Sequence, residues 1–136
     1  MLSNIEAKRI VYALTGAVIV MILLDRISKY MAISAHGSFA NEGNPVMYEV
    51  LTLGGWPLFF GFAIAVVGVL VMASRVVVDY IEKGDRQVFY ACLVGFSFVI
   101  GFYTMVLVNN LAGYYEGVLV TGYDPYSIGW VLGWLF

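Results

Sequence analysis

The fold of this chain is decided by residues 10–29, which read IVYALTGAVIVMILLDRISK. The run up to Leu24 has no charged residue, and Asp25, Arg26 and Lys29 then follow within five positions. A charged side chain near the centre of a bilayer costs at least ~2.5–3.5 kcal/mol, so it usually has a partner or a role. We therefore expect a membrane-spanning helix with a polar cluster in its last third.

The composition agrees with a membrane protein. The 136 residues are 62% hydrophobic and 12% charged, whereas soluble domains carry roughly 25% charged residues. Two further uncharged runs, residues 58–73 and 88–108, are long enough to belong to spanning helices. The sequence thus predicts an all-α integral membrane protein and excludes a typical soluble enzyme.

We expect a single transmembrane domain over residues 1–136, with three spans at about 10–34, 57–83 and 88–112. Residues 113–136 form the tail. Its last segment, Ser127 to Phe136, is only about 15 Å long as a helix and is too short to span. It is expected to be a short re-entrant or interfacial segment.

Local signals place the ends of these helices. Ser3 and Glu6 fit a capping box ahead of span one. Residues 36–53 contain two glycines and an Asn-Pro pair and are expected to be a loop. Pro57 suits the first turn of span two. Gly84 is expected to end that helix, and Asp85 to cap span three.

The positive charges predict the orientation in the cell membrane. Five of them flank the start of span one and the connection between spans two and three: Lys8, Arg9, Arg75, Lys83 and Arg86. The loop after span one and the tail contain no Lys or Arg. The positive-inside rule therefore predicts a cytoplasmic N-terminus and an outside C-terminus, with the first span as its own insertion signal.

The candidate polar site begins in span one. Asp25 and Lys29 are four residues apart, and Ser28 lies close to the same helix face. Arg26 points about 100° away and is expected to extend outward toward the interface. Two interpretations stay open. The cluster is either an ion pair within one helix or a polar site that faces other helices or a partner subunit.

Asn109 and Asn110 close the uncharged part of span three on the same side of the membrane. Asparagine amides in lipid need hydrogen-bond partners, so both are expected to face protein, with span one or its loop as the partner. Pairs of small residues four apart, typical of closely packed membrane helices, occur at Gly61 and Ala65, Ser97 and Gly101, and Gly129 and Gly133.

Other chemistries have no support in the sequence. The acidic residues and His36 are scattered without metal-ligand spacing, so no metal and no cofactor is expected. There is no Gly-x-Ser-x-Gly motif, no phosphate-binding loop and no basic patch for nucleic acid. Cys92, the one cysteine, is expected to be a small buried apolar residue.

The stretch from Asp25 to Tyr30 resembles the Asp-x-x-Ser/Thr-Lys motif of the lipoprotein signal peptidases, the aspartic signal peptidase II family. Asn41-Glu42-Gly43 is similar to the Asn-x-Gly of that family, and Asn110-Leu111 to its Gly-Asn segment. The resemblance implies a shared membrane scaffold. The chain is also similar to small, functionally uncharacterised archaeal and bacterial membrane proteins with an Asp in span one and an Asn-Pro after the loop.

The chain departs from the signal peptidases at the catalytic residues. Gly113 stands where the family has one catalytic aspartate, and the Phe-Asn-x-x-Asp stretch with the second is missing. An aspartic protease needs two carboxylates, one ionised and one protonated. Glu116 and Asp124 do not match in spacing. We therefore expect no aspartyl dyad and no peptidase activity.

These observations favour a non-catalytic small membrane subunit that packs in a larger complex, such as a respiratory or oxygenase assembly. Its partners would be lipids and other membrane subunits or further copies of itself, and no nucleic acid. Two alternatives remain. One is a membrane enzyme of the signal peptidase II type, with Asp25 and Lys29 binding substrate. The other is a small transporter or channel protomer that uses Asp25 as its intramembrane carboxylate.

Overall fold

Three long helices make up the computed structural model, which describes residues 3–36 and 44–116. They are α1 (Asn4–His36), α2 (Pro45–Glu82) and α3 (Arg86–Glu116). Each contains a stretch long and apolar enough to cross a membrane, and the described ranges contain no strand. The predicted all-α membrane class with three spanning helices is confirmed, whereas the C-terminal segment predicted to be re-entrant or interfacial lies outside the described residues.

The signals predicted for the start of α1, the end of α2 and the start of α3 are confirmed. The backbone N–H of Ser3 donates to Oε2 of Glu6 over 2.7 Å, and Ser3 Oγ accepts from the backbone N–H of Glu6 over 3.2 Å. This is the reciprocal arrangement of a capping box. Gly84 follows α2 with a φ of +88°, and Asp85 Oδ1 accepts from the backbone N–H groups of Gln87 and Val88.

The predicted loop is wrong over residues 45–53, which belong to α2. The Asn-Pro pair is a helix start rather than a turn. Asn44 Oδ1 accepts from the backbone N–H groups of Val46 and Met47 at 3.0 and 3.3 Å. Pro45, which has no N–H to satisfy, occupies the first helical position. Span two is therefore preceded by an extra helical segment, and His36 is the last residue of α1 rather than the start of a loop.

A break at Gly55 separates that segment from the rest of α2. Gly55 has φ +59° and ψ −156°, which is not a helical conformation. Only glycine adopts this region of backbone space readily, because a Cβ would clash with the backbone. Pro57 comes two residues later, where its missing N–H is tolerated. The break lets the first segment of α2, residues 45–54, take its own direction over the end of α1.

We expect Gly55→Ala to lower the free energy of unfolding by about 1–3 kcal/mol, because alanine is strained at this φ and ψ. Gly95→Ala on α3 is the control, since Gly95 is exposed, a Cβ there meets no atom within 4 Å and alanine favours helix. Unfolding by steric trapping in bicelles measures both. A Gly55→Ala variant as stable as the wild type would contradict the break.

Helix α1 is central to the packing, because it contacts α3 most extensively and also α2, whereas α2 and α3 contact each other least. Its buried side chains include Ala7, Val11, Val18 and Ile22. Cys92 is only partly buried and packs against this core, so it is less enclosed than predicted. A second apolar cluster lies at the other end of α1, where Ile33 meets residues of α2.

Polar contacts also tie α1 to its neighbours. Near its start, Lys8 Nζ lies 2.7 Å from Oε1 of Glu82, and Arg86 Nη2 donates to Asn4 Oδ1 over 2.8 Å. Further along, the buried hydroxyls of Thr15 and Ser74 lie 2.7 Å apart. These contacts place the beginnings of α1 and α3 and the end of α2 at one end of the bundle, and they set the register in which the polar residues beyond Leu24 meet.

Candidate polar site

Four polar side chains are buried together beyond Leu24, and we call them the polar cluster: Asp25, Arg26, Ser28 and Asn110. Each is between 4% and 8% exposed. Three come from the last third of α1 and one from α3. All were predicted as site residues, and the structure brings them together.

Asn110 joins the two helices. Its Nδ2 donates to Asp25 Oδ1 over 3.0 Å and to Ser28 Oγ over 3.1 Å. Ser28 Oγ in turn donates to the backbone carbonyl of Asp25 over 3.0 Å. Because Asp25 and Ser28 are three residues apart, both face α3. The prediction that an asparagine of span three bonds to span one is confirmed for Asn110.

Arg26 does not extend toward the interface, so the predicted outward orientation is wrong. The guanidinium lies 4.5 Å above the centre of the Phe59 ring, and Nη1 donates to the Sδ of Met47 over 3.2 Å. Both partners belong to α2 and are themselves buried. The reason is the extra helical segment, since Met47 lies in the residues that were predicted to be a loop.

The charge balance of the cluster rests on Asp25 and Arg26. Arg26 Nη1 lies 3.8 Å from Asp25 Oδ2, which is within ion-pair range but too long for a good hydrogen bond. Burial strengthens such a pair and also raises the free energy of any charge left unpaired. The Nε of Arg26 is buried and has no hydrogen-bond partner within the described residues.

Two other predicted site residues are less defined. Lys29 lies on α1 one turn beyond Asp25 and is partly buried, and its pairing with Asp25 stays a prediction. Asn109 belongs to α3, but its side chain lies outside the described part of the structure. Of the residues compared with the signal peptidases, Gly113 lies within α3, whereas Glu42, Asp124 and the side chain of Glu116 are outside the described residues.

An apolar cleft lies one helical turn inward from the polar cluster. Its volume is about 210 Å³, and it is lined by residues of all three helices: Val18, Ile22, Val66, Leu70, Phe98, Val99, Phe102 and Tyr103. Within the described ranges, no three His, Cys, Asp or Glu side chains converge as metal ligands do. The arrangement as a whole fastens helices together and holds a buried cation against an aromatic ring.

Comparison with known families gives a match over most of the chain. DUF5658, a domain of unknown function, matches residues 10–116. The chain belongs to this family. The matched region contains most of α1 and all of α2 and α3, so the polar cluster is part of the DUF5658 domain. No curated protein and no solved structure matches the chain.

Two side chains of the site were missed from the sequence. Met47 and Phe59 enclose Arg26, but apolar residues in an apolar chain carry no signal of their own. The Asn44-Pro45 pair was the available signal for Met47, because it marks a helix start. Nothing comparable marks Phe59, whose position over Arg26 follows from the packing of α1 against α2.

Proposed function

We propose that this DUF5658 protein is a non-catalytic subunit of a larger membrane assembly, formed with other membrane proteins or with further copies of itself. The observation that carries the proposal is the amount of uncovered helix surface. The apolar stretches of α2 and α3 are mostly exposed in the single chain. Lipid covers such surface in a monomer, and neighbouring helices cover it in a complex.

The distribution of small residues favours neighbouring helices. Gly61, Ala65, Ser97 and Gly101 are all exposed, and a Cβ added at Gly61 or Gly101 meets no atom within 4 Å. These two pairs are therefore not used for packing within the described residues, and the third predicted pair, Gly129 and Gly133, lies outside them. Surfaces of this type let the backbones of two membrane helices approach closely.

The environment of Asp25 favours a structural role over catalysis. Its Oδ1 accepts from Asn110, its Oδ2 faces Arg26, and it is 5% exposed. A peptidase carboxylate has to reach a water molecule and share it with a second carboxylate. Internal partners also distinguish Asp25 from a transporter carboxylate, which has to exchange its partners during the cycle. The kind of assembly that we propose is a respiratory or oxygenase complex.

Association is tested by the matched variants Ala65→Leu and Ala73→Leu. Both alanines are exposed on α2, but only Ala65 belongs to the face with Gly61. We expect Ala65→Leu to weaken association about tenfold, which is ~1.4 kcal/mol, because leucine keeps the backbones apart. Ala73→Leu should leave association unchanged.

The measurement is native mass spectrometry of nanodiscs formed directly from the membrane, together with in-membrane energy transfer between labelled copies. Association of the wild type that is reduced in Ala65→Leu alone supports the proposal. A monomeric wild type in both measurements contradicts it.

We also propose that the end of the bundle at Lys8, Arg75 and Lys83 is cytoplasmic. The contacts Lys8–Glu82 and Asn4–Arg86 support a common end for the flanking cations, and the positive-inside rule then assigns that end to the cytoplasm. A periplasmic-type alkaline phosphatase fused after Phe136 is expected to be active. Activity of a cytoplasmic-type reporter at that position would reverse the orientation.

A further inference from the structure

The guanidinium of Arg26 is the one buried charge in the polar cluster whose hydrogen bonds are incomplete. Its side chain is 9% exposed. The hydrogen bond that it makes within the described residues goes to the thioether of Met47, which is a weak acceptor. The Nε has no partner there. An arginine carries five N–H donors in a planar fork, so most of its hydrogen-bonding capacity is unused within the described residues.

The carboxylate of Asp25 does not satisfy the remaining N–H donors of Arg26. Asp25 Oδ2 is 3.8 Å from Nη1, beyond hydrogen-bond distance, and Asp25 Oδ1 is occupied by Asn110. The face of the guanidinium is taken by the Phe59 ring. One face is stacked, Nη1 is directed at Met47 and Nε is enclosed by the protein, so Nη2 is the donor that remains for a ligand. A guanidinium N–H forms a short, charge-assisted hydrogen bond with an oxygen of an anion.

The depth of Arg26 in the membrane indicates where such an anion comes from. Arg9 and Arg26 are 17 positions apart on α1, which is about 26 Å along a helix. The hydrocarbon core of a bilayer is about 30 Å thick. With Arg9 at one interface, Arg26 lies where acyl chains meet the phosphates of the opposite leaflet.

The apolar surroundings favour an anion that carries a hydrocarbon chain. Ile22, one turn before Arg26 on the same face of α1, lines the apolar cleft between α2 and α3. Met47 and Phe59 cover Arg26 itself. A free phosphate ion would lose its hydration there without any compensating apolar contact, whereas a phospholipid brings both the phosphate and the chain.

We propose that Arg26 binds the phosphate of a phospholipid, with Nη2 donating to a phosphate oxygen and an acyl chain lying along the cleft beside Ile22. The lipid is a bound component of the site and not part of the bulk bilayer. This inference does not depend on the proposed subunit role, because a monomer would bind the lipid equally well.

The test uses the full-length protein, stripped of lipid in a mild non-ionic detergent and titrated with phosphatidylglycerol under native mass spectrometry. We expect one high-affinity lipid on the wild type and about a tenfold or greater loss of affinity in Arg26→Met, as for a charge-assisted hydrogen-bonded pair. Arg26→Lys should fall between them, because lysine keeps the charge and loses the fixed direction of the guanidinium N–H groups. Arg75→Met, which removes an exposed arginine of α2, is the matched control and should bind as the wild type does.

A second measurement needs no variant and therefore holds even if Arg26→Met does not fold. Wild-type protein is titrated with diacylglycerol of the same acyl chains and, separately, with inorganic phosphate. Preference for phosphatidylglycerol over both supports the proposal. Equal binding of diacylglycerol would show that the site does not recognise the phosphate. Equal binding of inorganic phosphate would show that the acyl chain does not contribute to affinity. Unchanged phosphatidylglycerol affinity in a folded Arg26→Met variant would overturn the assignment to Arg26.

Discussion

Replacing Asp25 by alanine is expected to lower the free energy of unfolding by about 3–5 kcal/mol, the range for removing one member of a buried ion pair. The loss arises from the groups left behind. Arg26 stays buried between Met47 and Phe59 without its carboxylate, and the Nδ2 of Asn110 loses its bond to Oδ1. A cation and an amide donor then lie buried without the carboxylate oxygens that they faced.

The double variant Asp25→Leu/Arg26→Met tests this explanation. It removes both charges and keeps apolar side chains of similar size, so it should recover most of the stability that Asp25→Ala loses. Asp79→Ala is the control, since Asp79 is an exposed carboxylate on α2 and its loss should change the stability by no more than about 0.5 kcal/mol. Steric trapping in bicelles measures all three. If Asp25→Ala matched the wild type, the pairing of Asp25 with Arg26 and Asn110 would be contradicted.

Replacing Phe59 by alanine is expected to cost a similar amount, about 3–5 kcal/mol. Phe59 is completely buried, and its ring packs edge-to-face against Trp56 and Phe60 with centroid distances of 5.5 and 5.6 Å. Its truncation opens a cavity beneath the guanidinium of Arg26 and removes the cation–π contact as well. The cavity accounts for most of the loss.

Two variants separate these contributions. Phe59→Leu keeps most of the volume and removes the ring, so it should cost clearly less than the alanine variant, about 1–2 kcal/mol. Phe62→Ala is the matched control, because Phe62 lies one turn along α2 and is 40% exposed. It should lose less than half as much stability as Phe59→Ala. Equal losses at positions 59 and 62 would show that the second apolar cluster, at the end of α1, does not enclose Phe59.

The lengths of the apolar runs were enough to predict the spanning helices. Lipid offers no hydrogen bonds to the backbone, so a long uncharged run in a membrane protein has to be helical. The helix caps at Ser3 and Asp85 were predictable for a related reason. A cap satisfies backbone donors only a few residues away, so all of its atoms are near each other in the sequence.

The start of α2 shows where local patterns were ambiguous. Asn44 and Pro45 are common both in turns and at helix starts. The choice between the two depended on whether the following residues had something to pack against. Met47 and Leu51 have Ile33 of α1 and Phe59 as neighbours in the second apolar cluster. This burial stabilises a helix over residues that resemble a loop.

The sequence by itself determined the membrane class, the three spanning helices and the identity of the residues that need polar partners. These properties follow from hydrophobicity, charge and backbone hydrogen bonding, which act within a few residues. The partners themselves were decided only by the tertiary structure. Asn110 reaches Asp25 because α1 and α3 pack in one particular register. Arg26 turns inward because the break at Gly55 brings the first segment of α2 over it. The register and the crossing of two helices depend on side-chain packing between distant parts of the chain. No single stretch of sequence contains that information.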